Sequence, residues 1–308
     1  MIVVVCPGQG SQTPGFMLPW LEIPEFRASI ESMQLSSGID LVAHGTVSDA
    51  DTIRDTAVAQ PLIVSAGVAT LAALFKQNGQ VSNQVAGVAG HSVGEITAAV
   101  ASGILDADQG IKFVKKRGDA MAVAAGLEST SMAAILGGDQ SVVEARLAEL
   151  GLEPANYNGA GQIVAAGTAA AIIELQAEGP AGARVIPLQV AGAFHTRFMA
   201  PAVSSLAEYS TLIEPKDPVT KLWSNAGGIA IDSGADFLNL MIQQVKSPVR
   251  WDLCMQAMVA AGVTALIEVA PAGTLTGLAK RSMPGVETLA IKSPDNIATA
   301  LDLIANHS

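Results

Sequence analysis

The sequence predicts an α/β fold: a large domain with a parallel sheet, interrupted by a small α+β domain. Short β-branched apolar runs alternate with helical stretches near both ends of the chain, which is the pattern of strands joined by crossover helices. The middle of the chain changes to a different rhythm of strands and helices, and the first rhythm then resumes. The size agrees, because 308 residues of which half are hydrophobic fill one large core, or one core with a smaller companion.

Ile2–Cys6 is a β-branched run that stops at Pro7-Gly8, so it reads as a buried strand. Residues 57–75 carry no charge over nearly the length of a membrane span. Gln60, Pro61, Ser65 and Thr70 interrupt the stretch, and Pro61 suits the first position of a helix, so a helix buried inside the protein is expected. Residues 85–89 form a second apolar run ending at Gly90, and 95–102 is helical in composition and stops at Gly103. A further helix is expected over about 108–124. Ile111, Val114, Gly118 and Met121 share one face of it, with Phe113, Arg117 and Ala120 beside them.

The altered rhythm begins at 132–136, a strand, followed by a helix at 141–150 and strands at 155–157 and 162–166. A helix at 168–178 and a strand at 184–190 complete the series. The order β-α-β-β-α-β is the ferredoxin-like arrangement. It is assigned to 127–195 as an insertion, leaving 1–126 and 196–308 as the large domain, with a cleft between the two. In the last third, strands are expected at 221–224 and 265–269 with a helix at 251–261 between them.

Composition removes several function classes. Seventeen Lys and Arg against 28 Asp and Glu give a net charge of −11 and a pI near 4.7, which repels nucleic acid and anionic membrane unless cations cluster. One small cluster exists, Lys112, Lys115, Lys116 and Arg117. The mean hydropathy of +0.40 suits a compact enzyme. Cys6 and Cys254 lie far apart with no CxxC spacing, so no disulfide framework is expected and a reducing compartment fits. The N-terminus has neither the basic region nor the apolar length of a signal peptide, and a cytoplasmic location is expected. No HExxH, paired CxxC or EF-hand spacing occurs, so neither a metal nor a bound cofactor is expected.

The sharpest chemical signal is Gly90-His91-Ser92-Val93-Gly94, between a predicted strand and a predicted helix. That context makes GxSxG a nucleophile elbow, a tight turn that exposes the serine hydroxyl, and gives the large domain its α/β-hydrolase-like character. The helix start also places the Val93 amide where it can stabilise negative charge. Ser92 needs a base. Of the four histidines, His307 lies in the terminal tail, His44 in a polar stretch, and His91 adjoins the serine on a turn where neighbouring side chains diverge. His195 remains, at the return from the insertion to the large domain. Between Ser92 and His195 the acids Glu144, Glu149 and Glu174 fall on predicted helices of the insertion, so a backbone carbonyl in place of an acid is expected to orient the imidazole.

A second glycine motif, Pro7-Gly8-Gln9-Gly10-Ser11-Gln12, ends the first strand. Thr13 stands where a dinucleotide fingerprint needs its third glycine. The glycines instead let the Gln9 backbone approach a ligand and offer a second oxyanion amide. Arg117 lies on the apolar side of its helix, and a buried guanidinium needs an anion. A substrate carboxylate and an internal salt bridge both satisfy that need.

These residues resemble the malonyl-CoA:acyl carrier protein transacylases of bacterial fatty acid synthesis. The likeness covers PGQGSQTPGF at 7–16, VAQP at 58–61, GHSVGEITAA at 90–99, the RG…MA stretch at 117–122 and NGAGQIVAAG at 158–167. It continues through GAFHTRFMAPA at 192–202, SPVRWD at 247–252 and PAGTLTGLAKR at 271–281. The family also includes acyltransferase domains of polyketide synthases; the Met1 start and absence of flanking domains are read as a discrete enzyme. The resemblance implies Ser92 as nucleophile, His195 as general base and acid, and the Gln9 and Val93 amides as the oxyanion hole. It implies Arg117 as the clamp for the malonyl carboxylate, Phe194 as a residue of malonyl selection, and the Arg250 carbonyl as the group orienting His195. Malonyl-CoA and acyl carrier protein are the implied partners, with the phosphopantetheine thiol as acceptor. Because the chain is itself acidic, Lys112, Lys115, Lys116, Lys280 and Arg281 are the expected basic patch for an acidic carrier. The rival readings are a serine esterase or thioesterase, which has no use for Arg117, and a non-catalytic subunit that only docks carrier protein.

Overall fold

A computed structural model describes residues 1–76, 79–81 and 83–307. Its fold is mixed α/β with two sheets. The larger sheet has six strands in the spatial order Glu287–Ala290, Ala265–Glu268, Ile2–Cys6, Gly87–Gly90, Lys221–Trp223 and Ala230–Ile231. All neighbours pair in parallel except the last two, which are antiparallel. Ile2–Cys6 reads as an unbroken apolar run because both of its faces are covered. Ile2, Val4 and Cys6 enter the main core, whereas Val3 and Val5 pack with Trp251, Leu266 and Leu275 on the other side.

The helix Thr56–Phe75 fills the centre of the main core. By length and composition it could cross a membrane, and 89% of its apolar stretch is buried inside the protein. It starts earlier than Pro61: the Asp55 side chain accepts from the Ala57 N–H, so the cap fixes the first turn and Pro61 lies inside the helix. So near the N-terminus, the missing proline N–H removes a single backbone bond.

The second sheet runs Ala183–Pro187, Thr130–Gly137, Gln162–Thr168, Glu153–Gly159 and Val249–Arg250. The first four are antiparallel, and helices Gln140–Glu149 and Ala169–Ala177 cover a core of Ala133, Ile135, Val143, Leu147, Ile163 and Leu175. The fifth strand pairs in parallel with Glu153–Gly159 and comes from outside residues 127–195. The carboxyl ends of Ile2–Cys6 and Gly87–Gly90 open toward this sheet, and the cavity of the next section lies there.

Candidate active site

Gly87–Gly90 ends in a turn that Ser92 completes with φ 53°, and helix Gly94–Ala101 begins two residues later. The two flanking glycines are dictated by space. A Cβ on Gly90 would stand 2.1 Å from the Gly94 carbonyl carbon, and a Cβ on Gly94 would stand 2.2 Å from the Cys6 oxygen. The serine thus projects at the strand end from a left-handed conformation that only a tightly determined turn sustains.

The Ser92 hydroxyl lies 2.7 Å from His195 Nε2. His195 Nδ1 faces the Gln244 carbonyl oxygen at 2.8 Å, so Nδ1 carries the proton and Nε2 is free to accept the serine's. The His195 backbone N–H donates to Val245 O at 3.0 Å, tying the residue twice to the end of helix Gly234–Gln244. A backbone carbonyl does take the place of an acid, but it belongs to Gln244, not Arg250. The Arg250 guanidinium pairs with Asp252 at 2.7 Å and lies over the Tyr157 ring at 4.5 Å, while its backbone bonds Asn225. The physical reason is position: Gln244 closes a helix whose last carbonyls lack intrahelical partners, whereas Arg250 is engaged in the second sheet. Burial, and then the Arg117 charge, hold the His195 pKa down to about 3, so the imidazole is neutral at physiological pH.

Arg117 is 1% exposed. Its guanidinium donates to Gln60 Oε1 at 2.7 Å and Gln244 Oε1 at 3.0 Å, and reaches the Ser92 hydroxyl at 3.5 Å. Among the described residues no carboxylate forms an ion pair with it, so the internal salt bridge left open by the sequence is absent there. Burial lowers its pKa to about 10, which leaves it charged.

Gln9, Ser92, Val93, Arg117, Phe194 and His195 line one cavity of about 470 Å³, with Met121, Met132 and Val164 among its apolar walls. Among the described residues the backbone N–H groups of Gln9 and Val93 donate to no other group. The Gln9 side chain is anchored to Arg54 O at 3.3 Å, and that of Gln12 to Ile53 O at 3.0 Å, fixing the glycine loop. His91 points away from the serine, its Nε2 2.9 Å from Asn158 Oδ1 and its ring edge-on to Trp251. His44 lies in a short helix and meets Ser48, and His307 meets Thr264 and Glu287.

Four polar residues of the site went unread in the sequence: Gln60, Glu95, Asn225 and Gln244. Nothing local in the sequence marks them as buried: Gln60 shares its helix with Ser65 and Thr70, Glu95 shares its helix with Thr97, Gln244 follows Gln243, and Asn225 lies in a turn after Ser224. Asn225 Oδ1 accepts from the Ser92 N–H at 2.8 Å, and its Nδ2 donates to Gly90 O at 2.7 Å, which splints the elbow. Of the expected basic patch, Lys112 and Lys115 pair with Asp108 and Asp119 on their own helix. Lys280 and Arg281 belong to helix Thr274–Ser282, whose Thr274, Leu275 and Leu278 line the cavity.

Comparison with known proteins bears on this arrangement. Residues 3–293 match the acyl transferase domain family. The chain is 45% identical over 306 residues to the malonyl CoA-acyl carrier protein transacylase of Mycobacterium tuberculosis, covering 99% of this chain and 100% of that protein. It is 33% identical to the protein of the same name in Bacillus subtilis, covering 98% and 97%. The crystal structure of the Mycobacterium tuberculosis MCAT superposes with a TM-score of 0.93 at 44% identity, over 99% of this chain and 100% of that one. A malonyl-transacylase solved in complex with its type II PKS acyl-carrier protein gives 0.91 at 28% identity, covering 98% and 99%.

Proposed function

The chain belongs to the acyl transferase domain family, and from that premise we propose that it transfers the malonyl group of malonyl-CoA to the phosphopantetheine thiol of acyl carrier protein. The group travels as a malonyl ester on Ser92. One observation carries the reading. A buried, charged Arg117 with no carboxylate partner among the described residues stands beside the serine that would hold the acyl group. Such a guanidinium favours an acyl chain that ends in its own carboxylate.

In the first half-reaction neutral His195 takes the Ser92 proton at Nε2 and the oxygen attacks the thioester carbonyl. The Gln9 and Val93 amides receive the developing oxyanion, at about 10²–10³ in rate for each such donor. The tetrahedral adduct collapses, the coenzyme A sulfur leaves with the proton from His195, and the malonyl ester remains. In the second half-reaction the carrier thiol gives its proton to His195 and attacks the ester. The serine oxygen leaves, is reprotonated, and malonyl is on the carrier. Gln244 O, by holding Nδ1–H, keeps one tautomer in use throughout. Phe194, on the cavity wall, fits a role in limiting the acyl group's size.

The same reading takes 1–126 and 196–308 as an α/β-hydrolase-like catalytic domain and 127–195 as a ferredoxin-like insertion. The elbow at Ser92 supports the first, and the order fourth, first, third, second of the insertion's own strands supports the second. No cofactor enters the scheme, since malonyl-CoA and phosphopantetheine are substrates. Two free, buried cysteines fit a cytoplasmic setting.

The test is intact-protein mass after brief mixing with malonyl-CoA, then with carrier protein, with Ser92→Ala as control. A malonyl adduct that requires Ser92 and passes to the carrier supports the reading. An adduct lost to water regardless of carrier points to a hydrolase, and no adduct to a different acyl group or a docking role.

A further inference from the structure

We propose that Glu95, acting through the Gln244 side-chain amide, is the positioning residue that aims Arg117 at the acyl carboxylate and serves as its distant counter-charge. The inference rests on the malonyl reading above and deepens it.

Glu95 follows the elbow on helix Gly94–Ala101 and is 1% exposed. A buried carboxylate demands donors. Oε1 accepts from Ser224 Oγ at 3.0 Å and from the Asn225 N–H at 2.6 Å, and Oε2 accepts from Gln244 Nε2. Gln244 Nε2 also donates to Asn225 Oδ1 at 3.2 Å, and Gln244 Oε1 accepts from Arg117. The donors and acceptors run in one direction: guanidinium to amide oxygen, amide nitrogen to carboxylate. Reversing the Gln244 amide would set its NH₂ against the guanidinium and its oxygen against Asn225 Oδ1. Glu95 is the acceptor that ends the chain, so its charge fixes which end of the amide Arg117 meets.

The separation matters as much as the alignment. A carboxylate bonded directly to Arg117 would occupy the face a substrate needs. With the amide interposed, the opposite charges act on each other without contact, each favouring the ionised form of the other. The guanidinium stays charged in a buried site and keeps a free side toward Ser92.

A glutamine in place of Glu95 removes the charge and brings its own NH₂, which opposes either the Gln244 NH₂ or the Asn225 N–H, so one anchor of the alignment and the counter-charge are lost with volume nearly unchanged. The experiment compares acylation of Ser92 by malonyl-CoA and acetyl-CoA in wild type, Glu95→Gln, Gln244→Met and the double variant, with an unfolding temperature for each. Expected is a fall of at least about tenfold in the malonyl-over-acetyl ratio for Glu95→Gln, the worth of one hydrogen bond to a charged group. The double variant should fall no further than Gln244→Met alone. An unchanged ratio, an equal loss with both acyl groups, or additive losses would overturn the proposal.

Wild type alone gives an independent test if the variants do not fold. Burial raises the Glu95 pKa to about 7, so lowering the pH from about 8 to about 6 adds a proton there and should reduce the same ratio. The ionisable groups that interact with Glu95 are Arg117, near 10, and Cys254, pushed up by burial, and neither titrates in that range. A constant ratio would overturn the inference. A wild type that takes up no malonyl would overturn the functional reading itself and this inference with it.

Discussion

The Ser92 hydroxyl and the His195 imidazole meet at 2.7 Å with both residues in the left-handed backbone region, at φ 53° and 62°. A side chain in that region crowds its own carbonyl, so each conformation costs about 1–2 kcal/mol and persists where surrounding bonds enforce it. Asn225 enforces the first by taking the Ser92 N–H, and Val245 enforces the second by taking the His195 N–H. Both members of the couple are thus held by the backbone before any substrate arrives.

Ser92→Gly and Ser92→Ala should both abolish acyl loading, and they should differ in stability in an unusual direction. Glycine normally destabilises relative to alanine, but at a left-handed position it releases the strain. Ser92→Gly is therefore expected to be the more stable of the two by about 1 kcal/mol, read from urea unfolding.

Arg117→Ala should lose malonyl preference and gain relative activity on acetyl-CoA. Truncating one side of a buried charged contact costs about 2 kcal/mol or more, so the ratio of kcat/KM values should shift at least about 30-fold. Arg117→Lys should recover little of it, because an ammonium cannot span Gln60, Gln244 and a carboxylate at once. Selectivity unaltered in Arg117→Ala would reject the clamp.

Acylation by acetyl-CoA should show no acid limb at the ordinary histidine value of 6.5, because folded His195 stays neutral down to about 3. Between these two values the unfolded chain binds a proton that the folded one refuses, so this residue's contribution to stability is lost as pH falls through the window. A rate profile from about pH 8 to about pH 5 checks the first statement.

Reversing Lys280 and Arg281 together should slow transfer to carrier protein, most at low salt, while malonyl-CoA loading is spared. Reversing Lys112 and Lys115, which already pair with Asp108 and Asp119, should do less. Equal loss in both half-reactions would assign these cations to coenzyme A instead.

What was legible in the sequence followed from local necessity. Ser92 announced itself because an elbow needs small residues at fixed spacing, and His195 because few histidines competed. Ile2–Cys6 was readable to the residue, since a strand covered on both faces has no polar positions to blur its ends. The orienting carbonyl was assigned to Arg250 and belongs to Gln244 because every residue carries a carbonyl, and only tertiary position selects one. Glu95 and Asn225 were missed for a related reason: a polar residue in the first turn of a helix or in a turn after a strand reads the same whether it is solvated or the hub of a network. No element was assigned to residues 17–55, which form helices Pro24–Ser37 and Leu41–Thr46 packed on Thr56–Phe75, although Phe26, Ile30 and Met33 recur at helical spacing.

Val249–Arg250 joins the second sheet from outside residues 127–195, five residues after the Gln244 carbonyl that holds His195. A chimaera that exchanged 127–195 for the matching piece of a relative would therefore leave one strand of that sheet behind, still joined to the residue that anchors the imidazole. Swapping acyl preference between relatives calls for two cassettes moved together, residues 127–195 and the strip 244–250. One cassette alone would carry its misfit straight to the imidazole.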